Sequence, residues 1–211
     1  MVTNVAITAT TSPQPEIAGE AGATVDARIR ALEAELAAAH VRIAELEVRA
    51  DRDDLVDVFN RRGFLRELHR ALAYRERYGG GIAVLMFDVD LLKPVNDTFG
   101  HAAGDAVLRA VVETVQRHVR ASDVVGRLGG DEFAVLLWNI ADEMLAGKAA
   151  MLEQAVDELK LIFNGREIRA GISVGAAVAQ PGDNAGTVLE RADRAMYTRK
   201  AQRGARRGVP V

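Results

Sequence analysis

Cysteine is absent from the chain. That excludes disulfides and thiolate metal sites, and it suits a reducing cytoplasm. Also missing is any apolar run near the roughly 18 residues needed to cross a bilayer. The opening MVTNVAITATTSPQPEIAGE has neither the basic start nor the apolar core of a secretion signal. An excess of one charge is lacking as well: the net charge is −3 at pH 7, too small to name a partner. No internal repeat is visible. These absences describe a cytoplasmic protein with neither a nucleic acid nor a membrane among its expected partners. What is present is apolar material, 49% of 211 residues, enough for one domain of ordinary size and an appendage.

Residues 1–24 mix Thr, Ala, Gly, Pro and Glu without any period and read as a disordered tail. From Val25 the pattern changes. Val25, Ile29, Leu32, Leu36, Ala39, Ile43, Leu46 and Ala50 recur at alternating spacings of four and three, a heptad seam predicting a coiled-coil helix over 25–52. The seam is flanked almost wholly by charged residues and alanine, which leaves little for a broad contact with the chain's own domain. Beyond it, helical spacing fits 62–77, 104–119 and 141–163, and a last helix fits 186–200 with a capping box from Thr187 to Glu190. Strand patterns fall at Ile82 to Phe87, on both sides of Gly129-Gly130, and within EIRAGISVGAAVAQ. The alternation predicts an α/β or α+β sandwich over 53–203, with 204–211 as a C-terminal tail.

Two stretches carry chemistry. RLGGDEFAVLL reads as a hairpin whose two-residue Gly-Gly turn takes positive φ angles. Its tip has no side chains next to Asp131 and Glu132, so something large and anionic could approach the backbone while the carboxylates hold it, directly or through a metal. FDVDLLKPVNDTFGHAAGD packs Asp88, Asp90, Asp97 and Asp105 with Lys93 and Asn96 just past a buried strand. Loops at strand ends are where α/β folds bind ligands. Asp88 and Asp90 alternate onto one face, and Asp131 opens the strand after the turn. If those strands are neighbours, carboxylates meet at one edge, and a divalent cation removes their repulsion. Oxygen ligands favour magnesium or manganese, and Lys93 supplies positive charge for a triphosphate. Taken singly, each residue has an ordinary structural reading, and His101 is read as structural. The residues alone lead to a metal-dependent nucleotide enzyme or binder.

The three patterns GGDEF at 129–133, DVDLLKPVNDTFGHAAGD and ADRAMYTRK resemble, in that order, the motifs of the GGDEF-domain diguanylate cyclases. The resemblance implies a palm-like fold, with a central, mostly antiparallel sheet flanked by helices. It implies a homodimer in which two GTP condense to cyclic di-GMP with release of two pyrophosphates. By the same resemblance Asp88, Asp131 and the Val89 carbonyl hold a pair of Mg2+ or Mn2+ ions. Asn96 and Asp105 read guanine, Lys93 and Lys200 neutralise phosphates, Gly129 and Gly130 let the backbone lie against them, and Glu132 assists. RASD, with Arg120 and Asp123, resembles the family's R-x-x-D inhibitory site for the product.

Departures are confined to few places. DDLVDVFNR stands where D-x-L-T-G-L-x-N-R is usual, which bears on the hinge. Leu92 replaces Phe, and Pro94 follows Lys93. RGARRG follows Lys200 in place of a sequence containing G-R-N, so no Arg there is assigned to a phosphate. A catalytically silent domain that binds GTP or cyclic di-GMP, and a coiled-coil adaptor, are the competing readings.

Overall fold

In a computed structural model, residues 17–207 are described, with side chains described for 27–43 and 50–204. The chain divides into two compact units, Met1–Val48 and Arg49–Val211. The first unit holds nearly all of helix α1 (Ile17–Ala50). This helix begins ahead of the expected start at Val25. A helix already nucleated by its heptads propagates cheaply, so the weakly patterned residues from Ile17 join it. Residues 1–16 of the expected tail lie outside the described residues. Seam residues Ile29, Leu32, Leu36 and Ile43 are each about half exposed, at 48%, 49%, 57% and 52%.

The second unit runs α2 (Arg61–Tyr78), β1 (Ile82–Val89), α3 (Leu92–Phe99), α4 (His101–Arg117), β2 (Val124–Arg127), β3 (Glu132–Trp138), α5 (Asp142–Asp157), β4 (Lys160–Phe163), β5 (Arg166–Arg169), β6 (Ile172–Val178) and α6 (Ala185–Arg207). Its main sheet has the order β2-β3-β1-β6, and every pair is antiparallel. All eight residues of β1 are buried because helices cover both faces. Ala83, Leu85 and Phe87 pack in one core with Val107 and Val111 of α4 and Leu152 and Val156 of α5. Val84 and Met86 face the other way, onto Phe64 and Leu68 of α2 and Val188 and Ala192 of α6. The rings of Phe87 and Phe133 stack across β1 and β3 at 5.2 Å, worth about 0.5–1.5 kcal/mol beyond their burial.

Several local expectations are corrected. The stretch after β1 is not a loop throughout: α3 forms there, and Pro94 is tolerated in its first turn, where no N–H is needed. The helix expected over 141–163 stops at Asp157. Lys160–Phe163 instead pairs with Arg166–Arg169 around Asn164-Gly165, whose φ of 50° and 76° are those of a tight hairpin turn. The single strand read in EIRAGISVGAAVAQ is therefore β5 and β6. Gly129 and Gly130 are not among the positive-φ residues, because the β2–β3 connection spans 128–131 rather than two residues. The cap of α6 is Asn184 paired reciprocally with Thr187: the Asn184 side chain accepts the Thr187 N–H at 3.0 Å, and Thr187 Oγ1 accepts the Asn184 N–H at 3.1 Å. Finally α6 continues to Arg207 through the first part of the expected tail, and 208–211 lie outside the described residues.

Candidate active site

Antiparallel register sets the site. Asp88, at the end of β1, lies opposite Glu132 of β3 on one side and Ser173 of β6 on the other. The Val89 N–H donates to the Asp131 carbonyl at 3.0 Å, which draws the loop before β3 against the end of β1. Helix α6 supplies the cation. Gly175 of β6 has no side chain beneath α6, and a Cβ there would collide with the Met196 amide nitrogen and the Ala192 carbonyl. The close approach this permits brings Lys200 Nζ to 2.7 Å from Asp88 Oδ1, across 112 positions of sequence.

Asp88, Val89, Lys93, Asp131, Glu132 and Lys200 line one cavity of about 750 Å3. Burial pushes the Asp88 carboxyl above its ordinary value; the Lys200 hydrogen bond pulls it down, and the Asp131 and Asp90 charges push it up again. Burial alone would lower Lys200, but the Asp88 hydrogen bond and the surrounding acids leave it raised. Several carboxylates thus share this cavity, with the Lys200 ammonium bonded to Asp88 and acted on by the charges of Asp131 and Asp90. Among the described residues no three His, Cys, Asp or Glu side chains converge on one point. Two carboxylates and a carbonyl are nonetheless an oxygen-only donor set of the kind hard divalent cations take, with phosphate or water completing the shell.

The loop at 128–131 is held from below. Arg127 donates from Nε to the carbonyls of Gly129 (3.1 Å) and Gly130 (3.2 Å), from Nη2 to Gly130 (2.7 Å), and from Nη1 to Asp53 (3.1 Å). A Cβ at Gly130 would meet nothing within 4 Å. Neither packing nor backbone conformation therefore demands glycine at 130, whereas an approaching ligand would.

Asn96 and Asp105 are not among the residues lining this cavity. They sit on α3 and α4, where Asn96 Oδ1 is buried without a hydrogen-bond partner and lies so close to Gly104 that a Cβ there would collide with it. Arg120 and Asp123 line a separate cavity of about 570 Å3 with Trp138, Met144 and Lys148. Asp123 does not ion-pair with Arg120. Its carboxylate accepts the Arg120 N–H at 2.8 Å and the Trp138 N–H at 3.2 Å, leaving Arg120 exposed.

Sequence reasoning missed Arg127, although it stands two residues before the glycines, because the motif gave its side chain no task. It also set Arg203 aside, yet Arg203 lines the first cavity. Its guanidinium is engaged with Asp90 (3.3 Å), Glu153 (3.4 Å) and Asp157 (2.6 Å). Asp90, expected beside Asp88, lines the same cavity, where it accepts the Ser173 hydroxyl at 2.7 Å and the Arg203 Nε bond at 3.3 Å.

The family profile described as "Diguanylate cyclase, GGDEF domain" matches residues 50–206. The chain belongs to this family. It is 31% identical over 189 residues to the diguanylate cyclase DgcP of Pseudomonas aeruginosa, covering 89% of this chain and 28% of DgcP. It is 36% identical over 149 residues to DosC of Escherichia coli, covering 70% of this chain and 32% of DosC. The chain thus spans about a third or less of the length of these curated relatives. Among solved structures, the coiled coil and GGDEF domain of DgcB from Caulobacter crescentus, in complex with c-di-GMP, superposes with a TM-score of 0.73 at 29% identity, covering 88% of this chain and 95% of that solved chain. The GGDEF fold expected from the motifs is the observed one. No helix among the described residues is long and apolar enough to cross a membrane.

Proposed function

We propose that this GGDEF domain is an active diguanylate cyclase, which joins two GTP into cyclic di-GMP with release of two pyrophosphates. The observation that carries the reading is the single cavity holding Asp88, Asp131, Lys93 and Lys200 beside the glycine loop. When bound, Mg2+ or Mn2+, two per site on Asp88, Asp131 and the Val89 carbonyl, would neutralise phosphate charge and acidify the attacking 3′-hydroxyl. Lys200 and Lys93 orient the triphosphate by charge-assisted contacts to its outer phosphates, Lys200 exchanging Asp88 for a phosphate oxygen. Gly129 and Gly130 keep the loop free of side chains where the phosphates lie. Glu132, opposite Asp88 in the sheet, adds a carboxylate to the same edge. Asn96 and Asp105 take the guanine edge outside the phosphate cavity, with Asp105 accepting from the ring N–H and exocyclic amine.

One chain holds one such site, so closing a symmetric cyclic dinucleotide calls for two copies facing each other. The half-exposed seam of α1 offers a route to that homodimer, and DgcB, which includes a coiled coil, aligns over most of this chain. The second cavity, with Arg120 and Asp123, is the proposed site of product inhibition by cyclic di-GMP. Incubating the purified chain with GTP and magnesium tests the reading: cyclic di-GMP and two pyrophosphates per product are expected. Nucleotide binding without turnover would leave a silent binding module, and no binding at all would leave an adaptor.

A further inference from the structure

Glu153 of α5 lies away from the cavity, yet it is among the few buried charged residues, 3% exposed. Its carboxylate accepts the Val174 N–H at 3.0 Å, a donor on edge strand β6, and so closes part of the sheet edge. It also receives Arg199 Nε at 2.9 and 3.0 Å, a further bond from Arg199 Nη2, and Arg203 Nη1 at 3.4 Å. Burial would raise this carboxyl, but the Arg199 hydrogen bond, the Val174 N–H and the Arg203 charge outweigh that and hold it below its ordinary value.

Arg199 and Arg203 are four apart on α6 and share a face, and Lys200 lies between them on the side turned to Asp88. A helix resting on small residues has little side-chain interlock to stop it rolling about its axis, and the residues of β6 facing α6 include Gly175, against the backbone of Ala192 and Met196, and Ala177, in the same core as both. The arginines remove that freedom: Arg199 ties α6 to α5 and β6, and Arg203 ties it to Asp157 of α5 and to Asp90 just after β1. Rolling α6 would carry Lys200 away from the phosphate end of the cavity.

We propose that Glu153 is a positioning residue for the reaction: through Arg199 and Arg203 it fixes the rotation of α6 and so aims Lys200 at the outer phosphates of the bound nucleotide. The inference rests on the cyclase reading of the cavity. Glu153 does not touch the substrate. Glu153→Gln keeps the shape and the acceptor for Val174 but removes the charge that gathers the arginines. Arg199→Met loosens the same joint at a partly exposed position, and Arg199→Lys keeps the charge without the two-pronged geometry.

The test is equilibrium binding, in magnesium, of a fluorescent GTP analogue with a methylene bridge between its α- and β-phosphates, read beside KM and kcat for GTP and a thermal unfolding curve. Glu153→Gln and Arg199→Met should weaken analogue binding and raise KM about tenfold while remaining folded at the assay temperature, a misplacement cost rather than a loss of enzyme. Arg199→Lys should recover part of it. In a Lys200→Ala background Glu153→Gln should add almost nothing, because the two act through one contact. Unchanged analogue affinity with kcat falling only in proportion to lost folded protein would overturn the positioning role. So would effects of Glu153→Gln and Lys200→Ala that simply add. A parent protein that binds no nucleotide overturns the cyclase reading itself, and the inference with it.

Discussion

Asp88 and Asp131 are like charges at one sheet edge, with Lys200 hydrogen-bonded to the first and within electrostatic reach of the second. At this scale the chemistry depends on charge more than on shape. Asp131→Asn keeps the size and removes the charge, so circular dichroism and the melting temperature should stay near those of the parent while cyclic di-GMP synthesis drops by orders of magnitude. A folded Asp131→Asn protein with near-parent turnover would refute the metal assignment. Arg120 makes the opposite case, being exposed in a different cavity. Arg120→Ala should leave the initial rate near that of the parent while inhibition by added cyclic di-GMP fades, since a charge-assisted contact to the product is lost. Progress curves with and without an enzyme that removes the product would read this out. An initial rate abolished as in Asp131→Asn would place Arg120 in the active site instead.

Among the elements, α6 does most to assemble the cavity, and besides the Glu153–arginine contacts two further joints hold it. The first is Gly175. Gly175→Ala drives a methyl group into the backbone of α6, so it should destabilise the domain by about 1–3 kcal/mol, as overpacking does. It should also reduce turnover in the molecules that remain folded, because Lys200 rides on the displaced helix; denaturant melts and specific activity would separate the two effects. The second joint is Asp183, before the helix, which receives Arg191 Nη1 at 2.9 Å, Arg191 Nη2 at 2.6 Å and the Gln180 N–H at 2.6 Å. The Arg191 hydrogen bond is the largest influence, and it holds the Asp183 carboxyl far below its ordinary value of 3.8 against a smaller opposing effect of burial. A carboxyl depressed in the fold stabilises it fully above the unfolded value and loses that contribution as pH falls below 3.8 toward the depressed native value. Asp183→Asn should therefore cost on the order of 2 kcal/mol at neutral pH. The gap between parent and variant should narrow as urea melts are repeated further below pH 3.8. A gap independent of pH would mean that the pair does not hold the joint.

For the whole molecule, the proposed reaction ties activity to assembly, because each chain brings one Asp88–Asp131 site and the proposed product needs two. Seam residues Leu32 and Leu36 are 49% and 57% exposed in the single chain. Replacing both with Lys puts charges into the seam and should shift the mass in sedimentation toward the monomer. Activity per subunit should then fall most steeply on dilution, as mass action requires. Unchanged mass and unchanged dilution behaviour would show that α1 is not the dimer contact.

The amino-acid sequence by itself determined the elements whose periods are strong and local: the heptad rod, α2, the buried run of β1 and the acids at its end. It also carried the motifs that place the chain in its family, since these are short, ordered strings. Weaker local signals were outcompeted. Helical spacing through Leu159 masked the Asn164-Gly165 turn, and Pro94 masked α3, whose first turn accommodates it. What no window of sequence contained was the partner of each charged group. Only the order β2-β3-β1-β6, with α6 lying on Gly175, decided that Lys200 meets Asp88, that Arg127 reaches Asp53, and that Glu153 gathers Arg199 and Arg203. Periodicity reports which face of an element is apolar, but pairings between distant residues depend on which elements become neighbours, and that is settled by packing the two cores on either side of the sheet.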